Sequence, residues 1–440
     1  MKQKSLFISL IGCMFVFSFT LYAGGTKEEL KEEPIAGRKI TFLTHPTLFK
    51  AMGETATFQE FQRRSGVETE VVTMPTPQIR EKIMMDFVAG TGRYDVINMS
   101  NTIFNTDVIR YIENLDGYIQ KYPYEDFKDI FPALVDAFRY PVKTGSIYGI
   151  PFRTGTTLMF YRKDLFKKYN IGIPKNWEEF KAAVHKLTLD TDGDGKIDIY
   201  GYGIKCGDTH TTSEDFVRYL FAFGGNILSD DLKSARINEP QGIAVAELLK
   251  YFVDNKLVHP DFSTWIRDDL IVAQQQGKVA ISMQFSPYYG MITNPKLSPF
   301  ADQIDAFPVP TAPGVKEGTT YNPTWALTID SKSKSKRASW ELIKFLTSKE
   351  NQLTFALKHA NGPVSMSVFE NPEYQKFLGP NIAKAWKIGL SAGLTTPPHP
   401  DYSQMEETWG QAIISILLGQ KTPKEALDEA AVKINAILKK

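Results

Sequence analysis

The sequence predicts an α/β protein of two lobes joined by a hinge that the chain crosses more than once. Three observations carry that prediction. The first hundred residues alternate in the order β-α-β-α-β, which implies a parallel sheet covered by helices. Residues 148–162, YGIPFRTGTTLMFYR, then lead to a second such unit through a Tyr-Gly-Ile-Pro turn and a polar run, Arg153-Thr154-Gly155-Thr156-Thr157. Chain of that composition between compact units is hinge-like and can floor a cleft. Late in the chain, residues 321–330 alternate as a strand that can rejoin the first sheet, giving three crossings.

The elements follow in order. Residues 38–44 read as a strand and 45–53 as a loop. Residues 57–64 form a helix with Phe58 and Phe61 at helical spacing, 67–74 a strand, and 77–89 a helix with Ile79, Ile83 and Phe87 on one stripe. Residues 94–99 are the third strand. Ligands of such sheets bind beyond the carboxyl ends of the strands, here 44–45 and 99–104. Residues 107–122 and 124–138 read as two helices. After the hinge, 158–161 is a strand and 163–170 a short helix. Asn176 caps a helix running to Lys186, with Glu178 and Glu179 in its first turn. Helices are expected at 213–223, 240–255, 267–276, 335–346, 350–359, 403–418 and 423–439, and strands at 279–284 and 305–309. The final helix carries Ala426, Leu427, Ala430, Ile434 and Ile437 in a core-facing stripe.

At 440 residues the chain has room for two or three domains, and 42% hydrophobic with 23% charged residues is a globular composition. A net charge of +1 gives no electrostatic reason to expect nucleic acid as a partner. MKQK, an apolar run and Gly24-Gly25 read as a secretory signal at residues 1–23, cleaved after Ala23 or Gly25. Lys2 and Lys4 leave with it, so the net charge falls by two. An uncleaved anchor is the alternative, but no basic stop-transfer cluster follows. Leu10-Ile11-Gly12-Cys13 resembles a lipoprotein box but sits too early, so lipid anchoring is not expected. Cys206 is then alone, with no internal disulfide, which a chain with large cores does not need.

The sharpest short motif is the acidic loop 190–198. Asp190, Asp192, Asp194 and Asp198 stand at positions 1, 3, 5 and 9 of an EF-hand-like loop, with Gly195 at position 6 and Lys196 offering its carbonyl. Position 12 is Gly201, so the bidentate acid is missing, and a strand follows where a helix is needed. The readings are a structural Ca²⁺ site, with no other cofactor required, or a solvated turn. Enzyme signatures are thin: the sequence has no G-x-S-x-G, H-E-x-x-H, P-loop or G-x-G-x-x-G.

Five segments, taken together, resemble the extracellular solute-binding proteins of ABC importers, in the sugar-binding group that includes maltose-binding-type receptors. They are YDVINM, YGIPFRTGTTLMFYRKDLFKKYNI, IPKNWEEFKAAVHKL, QGKVAISMQFSPYYG and YNPTWALTIDSKSKSKRASWELIKFLTSKENQ. Their order and spacing, with the signal segment, make the resemblance specific. It implies a periplasmic-binding-protein fold with lobes at 26–152 plus 311–352 and at 153–310 plus 353–440. It also implies a monomeric, non-enzymatic periplasmic receptor that traps a sugar or polyol and delivers it to membrane permease subunits. An exported glycosidase is the alternative. The chain departs from the pattern in two places. The loop after the third strand, residues 100–104, has no acid, and Asn322-Pro323 replaces the glycine pair that many relatives carry before the late strand.

A sugar presents hydroxyls and apolar ring faces, so its site needs polar forks and aromatic plates. On the loops expected to face the cleft, the polar candidates are His45, Asn101, Arg153, Thr154, Asn322 and Asp401. The aromatic candidates are Phe285, Tyr288, Tyr289, Trp325 and Trp409. Each has a bland reading: His45-Pro46 shapes a turn, Arg153 braces the lobes, and any one aromatic fills a core. Trp177, Trp265, Trp340 and Trp386 are assigned to packing.

Overall fold

The strand patterns resolve into two sheets, connected by the hinge residues. The structure is a computed structural model that describes residues 34–141, 144–359 and 361–439. The signal segment and Cys13 lie outside the described residues.

The strands run β1 (Lys39–Thr44), β2 (Glu68–Thr73), β3 (Val96–Ser100), β4 (Arg139–Tyr140), β5 (Ser146–Ile147), β6 (Ile150–Thr154), β7 (Thr157–Arg162), β8 (Tyr200–Gly203), β9 (Val279–Phe285), β10 (Ile304–Pro308) and β11 (Thr324–Ile329). The first sheet has the order β2-β1-β3-β11-β6 and the second β10-β7-β9-β8; β4 and β5 pair as a small hairpin. β1 pairs in parallel with both β2 and β3, as the opening β-α-β-α-β pattern requires. β11 joins that sheet antiparallel to β3 and β6, so the late strand does rejoin the first sheet. The chain leaves the first sheet between β6 and β7 and returns between β10 and β11. It crosses again to the C-terminal helices Tyr402–Leu417 and Pro423–Ile437, which pack with Thr209–Ala222 and Pro240–Asp254 on the second sheet's side.

Periodicity predicts the helices that cover the sheets. Ile79, Ile83 and Phe87 are buried against Leu43, Ile97 and Met99 of the first sheet. The stripe on Pro423–Ile437 is buried in the second core with Phe216, Leu220 and Phe252. Asn176 caps Trp177–Lys186, its side chain accepting from the Glu179 amide at 2.9 Å. Trp177, Trp340 and Trp386 are packing residues.

Two expectations are corrected. Residues 45–53 are not all loop: Pro46–Ala51 is a short helix, begun by proline at its first position. Residues 107–138 do not make two long helices. They break into Thr106–Ile109, Asp116–Lys121, the 3₁₀ turn Glu125–Asp129 and Pro132–Asp136. Ile112 is drawn into an antiparallel bridge with Asp330, the Glu113 amide donates to the Ile329 carbonyl at 2.8 Å, and Asn114 folds back on the Asp116 amide. Tertiary pairing outcompetes the local helix there. Beyond the expected helices the fold has Tyr289–Ile292 and the run Met366–Glu370, Pro372–Leu378 and Pro380–Ala392. Their Asn371-Pro372 and Gly379-Pro380 junctions are N-terminal signals readable in the sequence.

Candidate functional site

A cavity of about 810 Å³ opens between elements of the two sheets. From the first come His45 and the helix Pro46–Ala51, Glu54, Arg153 of β6, Trp325 of β11, and Lys358 and His359 at the end of the helix Lys349–His359. From the second come Arg267 at the start of Arg267–Gln275, Phe285 at the end of β9, and Pro287, Tyr288 and Met291. The helix Lys349–His359 is anchored beneath β6, where Gln352 donates to the Phe152 carbonyl at 3.1 Å and Phe355 meets the Phe152 ring edge-on.

Strand register builds the floor. Arg153 and Trp325 are direct partners on β6 and β11, beside a register shift between Trp325 and Ala326. The Arg153 guanidinium lies 5.8 Å from the Trp325 ring centroid, within cation–π range. The Arg153 Nε is buried without a hydrogen-bond partner, and burial lowers the group's pKa. Gly155 lets the second lobe approach: a Cβ there would stand 2.4 Å from the Phe285 ring and 2.6 Å from Pro287. Phe285 in turn meets Tyr288 edge-on at 5.6 Å, and Arg267 Nη1 donates to the Tyr288 hydroxyl at 3.3 Å.

His45 serves two roles. Its Nδ1 accepts from the Thr47 amide at 3.2 Å, capping the helix Pro46–Ala51, and the same ring lines the cavity. Burial first, and the Arg153 charge second, hold its pKa below the usual histidine range, so the ring is neutral at neutral pH.

Of the residues expected at the site, the fold brings together His45, Arg153, Phe285, Tyr288 and Trp325. The others are used elsewhere. Asn101 Nδ2 donates to Thr396 at 2.8 Å while its Oδ1 accepts from the Thr324 amide at 3.0 Å, making it a buried staple. Thr154 is fully buried against Pro323 and Thr324. Asn322 is buried at the return crossing, donating to the Gly389 carbonyl at 3.0 Å. Trp409 is a core residue, 0% exposed, packed on Tyr402 with its Nε1 donating to the Ser213 carbonyl at 3.4 Å. Tyr289 is half-buried near Phe377, and Asp401 is exposed beside His399. Neither lines the cavity. Sequence reasoning missed Lys50, Glu54, Arg267, Met291, Lys358 and His359.

In the acidic loop, Asp190, Asp192 and Asp194 each offer an oxygen, and these lie within 4.8 Å of one another. The Gly193 and Gly195 amides donate to Asp190 at 2.6 and 2.8 Å, with both glycines at positive φ. Asp198, the fourth expected acid, accepts from the Thr191 amide at 2.7 Å and from its hydroxyl and lies outside that group of three. The Lys196 ammonium sits 3.3 Å from Asp194.

Two sheets with repeated chain crossings, and a ligand-sized cleft between them, define a hinged two-lobed binding protein. The chain belongs to the family described as "Bacterial extracellular solute-binding protein", whose profile matches residues 56–378. A Brucella abortus protein described only as a binding protein is 28% identical over 404 residues, which cover 87% of this chain and 90% of the relative. Two solved structures share the fold. The ABC transporter solute-binding protein of Agrobacterium radiobacter K84, in complex with ribitol, has a TM-score of 0.73 at 24% identity over 92% of this chain and 100% of its own. The sugar-binding protein MalE of Xanthomonas citri has a TM-score of 0.79 at 19% identity over 91% and 97%. Among the described residues no helix is long and apolar enough to cross a membrane.

Proposed function

We propose that the chain captures a sugar or polyol between its lobes and delivers it to the permease subunits of an ABC importer. The carrying observation is the cleft itself: Trp325, Phe285 and Tyr288 supply apolar plates, and Arg153 supplies a polar fork at the floor. Ribitol in one structural neighbour and the sugar-binding name of another support that chemistry. Contacts to both lobes favour the closed arrangement, and closure is what a permease can read. The lining favours capture over hydrolysis. Glycosidases work with two carboxylates, and Glu54 is the one carboxylate among the described lining residues. In this reading the receptor works outside the cytoplasm as a monomer, after removal of residues 1–23.

Titration with mono- and oligosaccharides tests the proposal. Trp325 fluorescence is expected to change, and X-ray scattering to show compaction, with ligand recovered unchanged. A response to amino acids or peptides and to no saccharide or polyol defeats it.

The acidic loop joins the proposal as a structural Ca²⁺ site formed by Asp190, Asp192 and Asp194, without Asp198. Asp192→Ala with Asp194→Ala is expected to lower the melting temperature in Ca²⁺ and to leave it unchanged in chelator. Equal effects in both would leave a solvated turn.

A further inference from the structure

The cleft's charge is one-sided. Lys50, Arg153, Arg267 and Lys358 line it against Glu54. The whole chain is near balance, with 51 basic and 50 acidic residues, so the excess is local. Nor do the lining cations cancel inside the protein. Arg267 alone has a carboxylate, Asp268, on its Nε at 2.7 Å, and Asp268 does not line the cavity.

Arg153, half-buried with its Nε out of solvent, differs from the two buried arginines. Arg162 is held by both oxygens of Asp164 at 2.8 and 2.6 Å. Arg218 is held by Glu214 at 3.0 Å and by Asp215. Arg153 has no carboxylate partner among the described residues, and the aromatic face of Trp325 is its close neighbour. A guanidinium partly taken from water without a counter-charge costs free energy, and an anion arriving with the ligand returns it.

We infer that the captured solute carries an anionic group, a carboxylate or a phosphate on a polyhydroxylated frame, and that Arg153 seats that group. This rests on the sugar-binding reading and narrows it. The planar fork of Arg153 matches either anion in a bidentate pair. Trp325 beneath it takes the apolar face of the frame. Arg267 approaches from the other lobe, oriented by Asp268 and the Tyr288 hydroxyl. An anion between the two arginines therefore gains contacts as the lobes close and biases the closed state. Exposed Lys50 and Lys358 add a positive field at the mouth, which attracts anions in a salt-dependent way.

Calorimetric titration of the full mature chain with matched trios tests the inference. The trios are galactose, galacturonate and galactose 6-phosphate; glucose, glucuronate and glucose 6-phosphate; and ribitol, ribonate and ribitol 5-phosphate. At least one acid is expected to bind about 100-fold more tightly than its neutral parent. The carboxylate and phosphate arms then separate the two sources of charge. Arg153→Gln is expected to abolish the preference, with Arg153→Lys keeping part of it. Should Arg153→Gln fail to fold, Lys50→Gln with Lys358→Gln, both on exposed side chains, is expected to weaken the acid several-fold and flatten its salt dependence. A neutral parent bound as tightly as its acids, with no salt dependence, overturns the inference and leaves the sugar-binding reading standing. So does folded chain that binds none of the acids. Binding of amino acids or peptides alone overturns both.

Discussion

Asp330 closes β11, the strand that carries Trp325, and its side chain is 1% exposed. Burial, followed by the charges of Asp86 and Asp95, pushes its pKa up from 3.8 to about 6, against the opposing effect of the Lys332 amide, which donates to it at 2.7 Å. The folded state therefore holds this proton more tightly than the unfolded chain. The stabilisation is complete below the ordinary value of 3.8 and is lost as pH rises through 6. The rise from 3.8 to about 6 corresponds to at most ~3 kcal/mol. Above pH 7 the ionised carboxylate is thus a liability to the first lobe. Asp330→Asn keeps an acceptor for Lys332 and adds an amide that can donate to Asp86. It is expected to stabilise the protein at pH 7.5 by about 1–3 kcal/mol, or roughly 1–3 °C for a chain of this size, and to give no gain at pH 4. Thermal melts of both proteins from pH 4 to 8, followed by circular dichroism, read the difference. A variant equally destabilised at both ends of that range would show that Asp330 acts through its geometry and refute the electrostatic account.

Three further outcomes follow from the cleft and hinge. Trp325→Ala, on a half-buried side chain, should weaken sugar binding by about 1–2 kcal/mol in calorimetry while shifting the melting temperature little. Gly155→Ala should cost about 1–3 kcal/mol through overlap with Phe285 and Pro287 and reduce ligand-induced compaction in scattering. Phe285→Leu in the same chain should restore part of that compaction. Asn101→Ala leaves the Thr324 amide without its buried acceptor, so it should lower stability by about 2–3 kcal/mol in melts, with ligand preference unchanged.

The two sheets were legible because each strand's pattern is local and their pairing follows from it. The late strand's alternation shows that it can rejoin the first sheet, but its place between β3 and β6 comes from the tertiary fold. Trp409 shows where residue type misleads and spacing does not. Met405, Trp409, Ile413 and Ile416 recur at three- and four-residue intervals and are all buried, so the helical stripe already marked that tryptophan as core. Asn101, Thr154 and Asn322 have the sequence setting of ligand contacts, since they lie at strand ends and in the hinge. At a hinge that three passages of chain share, buried backbone groups compete for the same polar side chains, and these three are consumed as staples. The basic lining could not be read locally at all. Lys50 and Lys358 stand about three hundred positions apart and meet because the helix Lys349–His359 packs beside Pro46–Ala51. Arg267 arrives from the other lobe. Each is an ordinary surface-type residue in its own window, and the balanced total of charges hides their sum. The field of the cleft is a property of the tertiary fold, and Arg153, unpaired at its floor, is the residue on which that field converges.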